Sequence, residues 1–264
     1  MSGNRPLALV TGASSGIGAD LARELGRSGH DLVLVARRVE PMRALADELK
    51  ALGATSTVIS ADLSKPGSSA ELSAELRTRG LTIDVLINNA GLGAGGAFHE
   101  SDATRVSEML EVNVVALTEL TRELLPAMVQ RQRGRVMFVA STAGFQPGPS
   151  MALYCASKAF VLSLGEAIAY ELRGTGVTLT VLCPGATATE FTDVAKTGSS
   201  RLFDSAMASV MTSAEVARQG YKAMAAGKRV HICGFINKMV AVSGRFSPHA
   251  ISLPVTEAIL KPGA

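Results

Sequence analysis

The chain alternates between short runs of apolar residues and longer segments with helical periodicity. The apolar runs lie at residues 6–10, 31–36, 55–61, 83–91, 134–141, 177–185 and 229–233. Their short and mainly apolar character is typical of strands that are buried on both faces. The helical segments lie at about 15–29, 39–53, 69–80, 102–132 in two pieces, 151–173 and 213–227. Strands that alternate with helices of this length predict βαβ units, and therefore an α/β fold with a parallel sheet.

Two stretches depart from this alternation. Residues 186–211 are less regular, and we predict that they form a variable substrate loop. Residues 235–264 form an apolar extension, which we interpret as part of a core, a lid or a subunit interface. The alternative is a helix that lies on a membrane surface or on a partner. Because the sequence contains no linker rich in Pro, Gly or Ser, we predict a single domain over residues 1–264.

The composition excludes several classes of function. The net charge is only +3 and the basic residues are scattered, so we predict no nucleic-acid partner. The three cysteines form no CxxC pair and lie near no histidine cluster, which argues against a disulfide framework or a metal site and fits a reducing compartment. The N-terminus has no apparent signal peptide, and no run reaches about 18 uninterrupted apolar residues. We therefore predict a cytoplasmic location without a transmembrane span.

The segment TGASSGIG connects the first predicted strand to the first predicted helix. Its glycines, Gly12, Gly16 and Gly18, permit a tight turn and let backbone N–H groups approach an anion. The helix N-terminus adds the positive end of its dipole. This position between a strand and a helix favours binding of a dinucleotide pyrophosphate over a plain turn.

The residues at the end of the second predicted strand indicate whether the dinucleotide is NAD or NADP. An acidic residue there would bind the ribose hydroxyls of NAD, whereas a basic residue would bind the 2′-phosphate of NADP. Here the sequence is VARR, so Arg37 and Arg38 favour NADP(H), with NAD(H) possible. The alternative is that both arginines are solvated surface residues.

Several separate motifs resemble those of the short-chain dehydrogenase/reductase family. They are TGxxxGxG at Gly12–Gly18, NNAG at 88–91, PG at 184–185 followed by Thr189, and the ordered set Asn113, Ser141, Tyr154 and Lys158. The resemblance covers roughly residues 5–233. It implies a single doubly wound Rossmann domain with a central parallel sheet of about seven strands, and assembly as a homodimer or homotetramer. The family transfers hydride between a nicotinamide and a carbonyl or alcohol.

The resemblance also implies a set of cofactor-binding positions along the chain. The glycine loop contributes Gly12, Ser14, Ser15, Gly16, Ile17 and Gly18, and the adenosine end adds Arg37, Arg38, Asp62 and Leu63. The cleft is expected to include Asn88, Asn89, Ala90, Gly91, Asn113, Tyr154 and Lys158, and the nicotinamide end Pro184, Gly185, Thr187 and Thr189. Position 187 is usually aliphatic in the family, so the role of a threonine side chain there is open.

The segment YCASK carries the predicted proton chemistry. Tyr154 and Lys158 are four residues apart on a predicted helix and therefore share one face. We expect the lysine ammonium to lower the pKa of the tyrosine, so that the phenol can exchange a proton with a substrate oxygen. By resemblance, Ser141 holds that oxygen, Lys158 binds the nicotinamide ribose and Asn113 holds a water of a proton relay. Cys155 is expected to lie on another helix face and to serve packing.

The predicted substrate pocket includes residues 93–98, 146–151 and Phe191, which offer few charges. We therefore predict a small apolar ketone, aldehyde or secondary alcohol, and NADP(H)-dependent interconversion of carbonyl and alcohol. Two alternatives remain: an NAD-linked secondary alcohol dehydrogenase, and a non-catalytic NADP(H)-binding regulatory protein. The intact Ser141, Tyr154 and Lys158 argue against the second alternative.

Overall fold

The computed structural model describes residues 5–189 and 210–260. This part of the chain contains β1 (Leu7–Thr11), β2 (Asp31–Ala36), β3 (Ser56–Ser60), β4 (Val85–Asn88), β5 (Gly134–Val139), β6 (Val177–Cys183), β7 (Thr187–Ala188), β8 (Met211–Thr212) and β9 (Val230–Ile232). Seven of these strands form one parallel sheet in the order β3-β2-β1-β4-β5-β6-β9, and the short strands β7 and β8 pair with each other. The predicted α/β fold with a seven-stranded parallel sheet is confirmed.

The helices cover both faces of the sheet. They are α1 (Gly16–Arg27), α2 (Val39–Ala51), α3 (Ser68–Thr78), α4 (Ala103–Leu110), α5 (Leu117–Gln130), α6 (Ala152–Glu171), α7 (Ser213–Ala225), α8 (Phe235–Phe246) and α9 (His249–Leu260). A π-helical segment, Glu111–Ala116, joins α4 to α5, and short 3₁₀ turns cover Phe98–Glu100 and Thr142–Phe145. The first seven helices match the predicted segments, whereas α8 and α9 lie in the apolar extension.

Successive residues of the inner strands face two separate layers of the core. Leu9 and Val33 pack in the layer that also contains helix α6, whereas Ala8 and Leu32 pack in the layer with α1 and α7. All four side chains have no exposed surface. Because side chains alternate along a strand, burial on both sides requires the unbroken apolar runs seen in the sequence.

The strand order places the loops of interest along one edge of the sheet. The chain winds outward from β1 toward β3 on one side and from β4 toward β9 on the other. In such a sheet the crevice lies outside the carboxyl ends of the strands, at the point where the order reverses. The loops after β1, β4, β5 and β6 leave the sheet at this edge. They carry the glycine loop, the NNAG motif, Ser141 and the PG motif.

Helix α6 is the one helix in the described residues that is long and apolar enough to cross a membrane by length and composition. The sequence alone does not single it out, because Tyr154, Ser157 and Lys158 interrupt its apolar residues. Its inner side is buried against the sheet, with Val161 and Leu162 in the core. A core helix meets the same criteria, so the finding gives little support to a membrane span. That residues 1–264 form a single domain stays a prediction.

Candidate active site

The glycine loop after β1 is held in a shape that side chains would obstruct. Gly12 and Gly16 have φ angles of +66° and +55°, in the region that favours glycine. A Cβ at Gly12 would lie 2.8 Å from Asn89 Nδ2, and a Cβ at Gly18 would lie 2.3 Å from the Gly12 carbonyl oxygen. Gly18 does not line the cavity described below, in contrast to its predicted contact with the cofactor. It instead allows α1 to approach the loop closely.

The N-terminus of α1 opens directly from this loop. Ser15 is the N-cap residue, but its side chain accepts no hydrogen bond from the first turn, and the first turn of this helix contains no acidic residue. The N–H groups of that turn therefore keep their capacity for an anion, and the helix dipole favours one there. Together with the cradle formed by the glycines, these features fit a dinucleotide pyrophosphate.

The loop after β2 brings two arginines to the same cavity. Arg37 and Arg38 both line it, and Arg38 Nη2 donates to Ser15 Oγ over 3.0 Å. Asp62 and Leu63, which follow β3, complete this end. Burial alone would raise the pKa of Asp62, but hydrogen bonds from Ser64 and the charge of Arg37 outweigh it, so that the pKa is lowered. Asp62 is therefore an anionic acceptor at this end.

The two asparagines of the NNAG motif point in different directions. Asn89, Ala90 and Gly91 line the cavity as predicted. Asn88 does not line it, because this last residue of β4 is buried and its Nδ2 donates to Thr121 Oγ1 over 2.9 Å. Its predicted place in the cleft was wrong, since successive strand residues face opposite sides of the sheet.

Ser141, Tyr154 and Lys158 meet on one wall of the cavity. Ser141 follows β5 and its side chain is hydrogen-bonded to that of Tyr154. Lys158 lies one turn further along α6, with Nζ 5.8 Å from the centroid of the Tyr154 ring. The ammonium donates to the Val139 carbonyl oxygen over 2.9 Å, at the end of β5. The structure thus brings Ser141, which follows β5, next to the pair Tyr154 and Lys158 on α6, in an arrangement suited to proton transfer.

Burial changes the acidity of this group in a direction that the sequence did not predict. It raises the pKa of Tyr154 to about 12, an effect that the hydrogen bond to Ser141 only partly opposes. It also lowers the pKa of Lys158 to about 8. The expected lowering of the tyrosine pKa by Lys158 is therefore not found, because loss of hydration disfavours the phenolate and is the largest cause of the shift. Cys155, predicted to face elsewhere, also borders the cavity, and burial raises its thiol pKa to about 11.

Asn113 lies behind this wall and not in the cavity lining. The π-helical segment that contains it directs its amide to the loop after β4. Both N–H bonds are used, by the Leu92 carbonyl oxygen at 2.9 Å and by Ser157 Oγ at 3.0 Å, and Oδ1 accepts from Leu92 N at 2.8 Å. Asn113, which was predicted to contact the cofactor, thus does not line the cavity. A water of a relay could reach only the remaining lone pair of Oδ1, and the relay stays a prediction.

The loop after β6 lies beside Ser141, because the Thr142 N–H donates to the Pro184 carbonyl oxygen over 2.8 Å. Pro184, Gly185, Thr187 and Thr189 all line the cavity, as predicted. The Thr187 hydroxyl donates to the Gly185 carbonyl oxygen over 3.0 Å, so the threonine at this usually aliphatic position stabilises the turn. Thr189 approaches the glycine loop, since a Cβ at Gly16 would lie 3.1 Å from its Cγ2. The two loops therefore lie close together beside the cavity.

These loops enclose a cavity of about 590 Å³. Gln146 and Met151 line it as predicted, but residues 93–98 do not, and Phe98 is exposed. Phe191 and most of the predicted substrate loop lie outside the described residues. The missed residues include four from the apolar extension: Asn237, Val240 and Ala241 of α8 and Thr256 of α9. Their only signal in the sequence was a few polar residues that interrupt an apolar segment, which does not identify a site.

The comparisons with known proteins agree with this arrangement. A model of the family described as short chain dehydrogenase matches residues 6–199. The NADP-dependent 3-hydroxy acid dehydrogenase YdfG of Salmonella typhi is 36% identical over 190 residues, which are 71% of this chain and 75% of that protein. The α8 and α9 helices lie beyond the residues that the family model matches.

Solved structures extend the similarity to most of the chain. A short-chain dehydrogenase from Sphingobium yanoikuyae in complex with NADPH is 34% identical, with a TM-score of 0.79 over 90% of this chain and 92% of that one. A bulky-bulky ketone specific alcohol dehydrogenase from Comamonas testosteroni is 32% identical, with a TM-score of 0.76 over 92% and 93%. With the matched motifs and the sheet order, these findings show that the chain belongs to the short-chain dehydrogenase/reductase family.

Proposed function

We propose that the protein is an NADP(H)-dependent oxidoreductase that reduces an apolar ketone or aldehyde to an alcohol, with Tyr154 as the proton donor. The observation that carries this proposal is the meeting of Ser141, Tyr154 and Lys158 on one wall of the cavity, with Ser141 hydrogen-bonded to Tyr154. A protein that only bound the cofactor would not need this chain of proton-exchanging groups.

The reaction divides between the cofactor and three side chains. The reduced nicotinamide supplies the hydride that the carbonyl carbon receives. Ser141 donates a hydrogen bond to the carbonyl oxygen, and Tyr154 transfers its proton to that oxygen, which leaves an alcohol and a phenolate. The phenolate regains its proton from solvent. Because its pKa is about 12 in this structure, Tyr154 carries its proton at neutral pH, as the reductive direction requires.

Lys158 would hold the nicotinamide ribose and stabilise the phenolate after the transfer. Its pKa of about 8 leaves it charged at pH 7, and its position 5.8 Å from the ring centroid places that charge beside Tyr154. The hydrogen bond to the Val139 carbonyl oxygen uses one of the three ammonium donors, so two remain for the ribose hydroxyls.

The preference for NADP(H) rests on the end of β2. Arg37 and Arg38 border the cavity there, and no acidic residue stands at the end of this strand to bind the ribose hydroxyls of NAD. A guanidinium matches a phosphate in charge and in the geometry of its donors. Use of NAD(H) by an alcohol dehydrogenase working in the oxidative direction is the second candidate.

The apolar substrate class rests on the lining of the nicotinamide end. Leu92, Met151, Val240 and Ala241 line the same cavity as Tyr154. Charged side chains other than Lys158 lie at the adenosine end, where Arg37, Arg38 and Asp62 stand. The similarity to a Comamonas testosteroni alcohol dehydrogenase that is specific for bulky-bulky ketones supports the same class. A carboxylate or phosphate on the substrate would find no arginine or histidine in this described part of the lining.

The first test is the consumption of NADPH, and separately of NADH, with a panel of apolar ketones and aldehydes. We expect wild type to consume NADPH faster, and Tyr154→Phe to lose about 10³-fold in kcat while binding NADPH normally, since positioned acids contribute 10²–10⁴. The control is Tyr170→Phe, which removes an exposed hydroxyl from the same helix. Turnover that survives Tyr154→Phe would reject Tyr154 as the acid, and faster turnover with NADH would favour the second candidate.

We further propose that the protein forms a homodimer or homotetramer through the helices that follow β4 and β5. Exposed apolar residues lie on these helices, namely Leu110 on α4 and Phe160 and Tyr170 on α6. Sedimentation velocity with wild type and with Phe160→Glu, which introduces a charge into this surface, would test the assignment. A wild-type monomer would contradict it.

A further inference from the structure

Helix α8 carries a buried polar residue among exposed apolar ones. Phe235 is 77% exposed and Met239 is 60% exposed, whereas Asn237, which lies between them, is only 8% exposed and lines the cavity. This reverses the usual arrangement, in which polar residues face solvent and apolar residues face the protein. A buried amide needs partners for its donors and its acceptor, so the partners of Asn237 indicate its role.

The backbone of the β6 loop accommodates the Asn237 amide. A Cβ at Gly185 would lie 2.5 Å from Asn237 Cγ and 2.6 Å from Oδ1, so only glycine at 185 leaves room for this group. Gly185 is part of the wall that is expected to contact the nicotinamide. Asn237 therefore stands at the reactive end of the cavity, although it lies outside the family-matched residues 6–199.

The Asn237 amide nitrogen has a hydrogen-bond partner in the protein, whereas the amide oxygen has none among the described residues. Asn237 Nδ2 donates to the Cys233 carbonyl oxygen over 3.0 Å, which fixes the orientation of the group. Oδ1 accepts no hydrogen bond from the residues that the structure describes. Oδ1 is not fully enclosed by the protein, so it is open to the cavity and can accept a hydrogen bond from a bound molecule.

We propose that Asn237 is a positioning residue whose Oδ1 accepts a hydrogen bond from an N–H or O–H donor at the nicotinamide end of the cavity. Two sources offer this chemistry: the carboxamide N–H of the cofactor, and a hydroxyl of the substrate. The inference rests on the proposed function, and it adds recognition by a helix that the family motifs do not include. The two sources make different predictions.

The cofactor source is tested by binding, without turnover. The reduced 3-acetylpyridine analogue of NADP has a methyl ketone in place of the carboxamide and therefore lacks the N–H donor. Fluorescence titration gives the ratio of its Kd to that of NADPH. If the cofactor is the donor, Asn237→Leu should lower this ratio about tenfold relative to wild type. Asn237→Asp, which also loses the bond to Cys233 but keeps an acceptor, should retain the ratio within about threefold.

The substrate source is tested with pairs of ketones that differ by one hydroxyl. If the substrate is the donor, Asn237→Leu should lower the preference for the hydroxyl-bearing ketone in kcat/KM about tenfold, and Asn237→Asp should retain it. Ser243→Ala, which removes a hydroxyl from the exposed side of α8, is the control and should change neither ratio. Asn237→Ala replaces the leucine variant if thermal unfolding shows that leucine destabilises the protein.

Both ratios unchanged in a folded Asn237→Leu variant would overturn the proposal, because water would then serve the amide equally well. Failure of the proposed function looks different. In that case wild type would consume no NADPH with any ketone, whereas the binding ratio for the two cofactors would still be measurable.

Discussion

The two ends of the cavity are built in different ways. At the end formed by the glycine loop, the chain removes side chains: Gly12, Gly16 and Gly18 leave a backbone cradle and an uncapped helix N-terminus. At the other end it buries side chains, and the acidities of Tyr154 and Lys158 move away from their usual values. One end therefore depends on shape and the other on the local electrostatic environment. Substitutions should fail differently at the two ends, by clash at the first and by altered protonation at the second.

The largest effect should come from a side chain placed in the cradle. Gly18→Ala brings a Cβ to 2.3 Å from the Gly12 carbonyl oxygen. We expect a loss of about 3 kcal/mol in the free energy of unfolding, as for other overpacked sites, and a rise of about 100-fold in the Kd for NADPH. Denaturant unfolding and fluorescence titration would measure the two effects.

The matched control for this substitution lies at the other end of α1. Gly29 has a φ angle of +86° but no atom within 4 Å of its Cβ position. Gly29→Ala should therefore cost about 1 kcal/mol of backbone strain and leave the Kd for NADPH unchanged. If Gly18→Ala bound NADPH with the wild-type Kd, cofactor binding would not require a residue without a side chain at position 18.

The next largest effect should come from removing a charge at the adenosine end of the cavity. Arg38→Ala removes a guanidinium that borders the cavity, and we expect the Kd for NADPH to rise about 20-fold, since bonds to charged groups are among the stronger ones. The Kd for NADH should change by less than about threefold. Arg43→Ala is the control, because Arg43 is exposed and paired with Glu40 on the same helix at 2.7 Å. An equal loss for both cofactors would place Arg38 away from the 2′-phosphate.

The smallest effect should reveal the protonation of Lys158. Burial lowers its pKa to about 8, so the ammonium is present at pH 7 and mostly lost at pH 9. Because the charged form is the better ligand for the anionic cofactor, we expect the Kd for NADPH to rise about fivefold between these values. Tyr154 and Cys155, with pKa values of about 12 and 11, do not titrate in this window.

Lys158→Met provides the comparison for the pH series. Its Kd for NADPH should be higher than that of wild type at pH 7 and should not vary between pH 7 and pH 9. A wild-type Kd that stayed constant over this range would mean that Lys158 keeps its charge despite burial. Lys158 and Tyr154 would then behave as they do in water, and burial would not control the charge at this end of the cavity.

The predictable parts of the molecule are those in which local spacing determines the structure. The glycine spacing, the apolar runs and the four-residue interval between Tyr154 and Lys158 each indicate a local conformation, and the sheet follows from their alternation. The direction of the Tyr154 pKa shift was predicted wrongly, because the interval on a helix does not show how deeply the pair is buried. The place of Asn88 was also predicted wrongly, because the NNAG motif does not show which way each side chain points. Asn89 lines the cavity, whereas Asn88 is bonded to Thr121.

The contribution of α8 could not be predicted for a different reason. Asn237 reaches the cavity because its amide packs on Gly185, and Gly244 of α8 lies against Gln146, where a Cβ would be 2.4 Å from Oε1. These contacts join residues that are far apart in the sequence. Glycine at 185 belongs to the family motif, but glycine there does not reveal which side chain will fill the space.

The attachment of helices α8 and α9 has a consequence for how such an enzyme can diversify. These two helices follow β9 and meet the cavity through a few residues, while Ser141, Tyr154 and Lys158 sit on separate elements of the sheet and α6. Changes in α8 and α9 can therefore alter which reactant is accepted without disturbing the proton-transferring group. With the roles proposed for Asn237 and Tyr154, selectivity and chemistry would lie on different segments of the chain, and recombination at β9 could exchange the first while preserving the second.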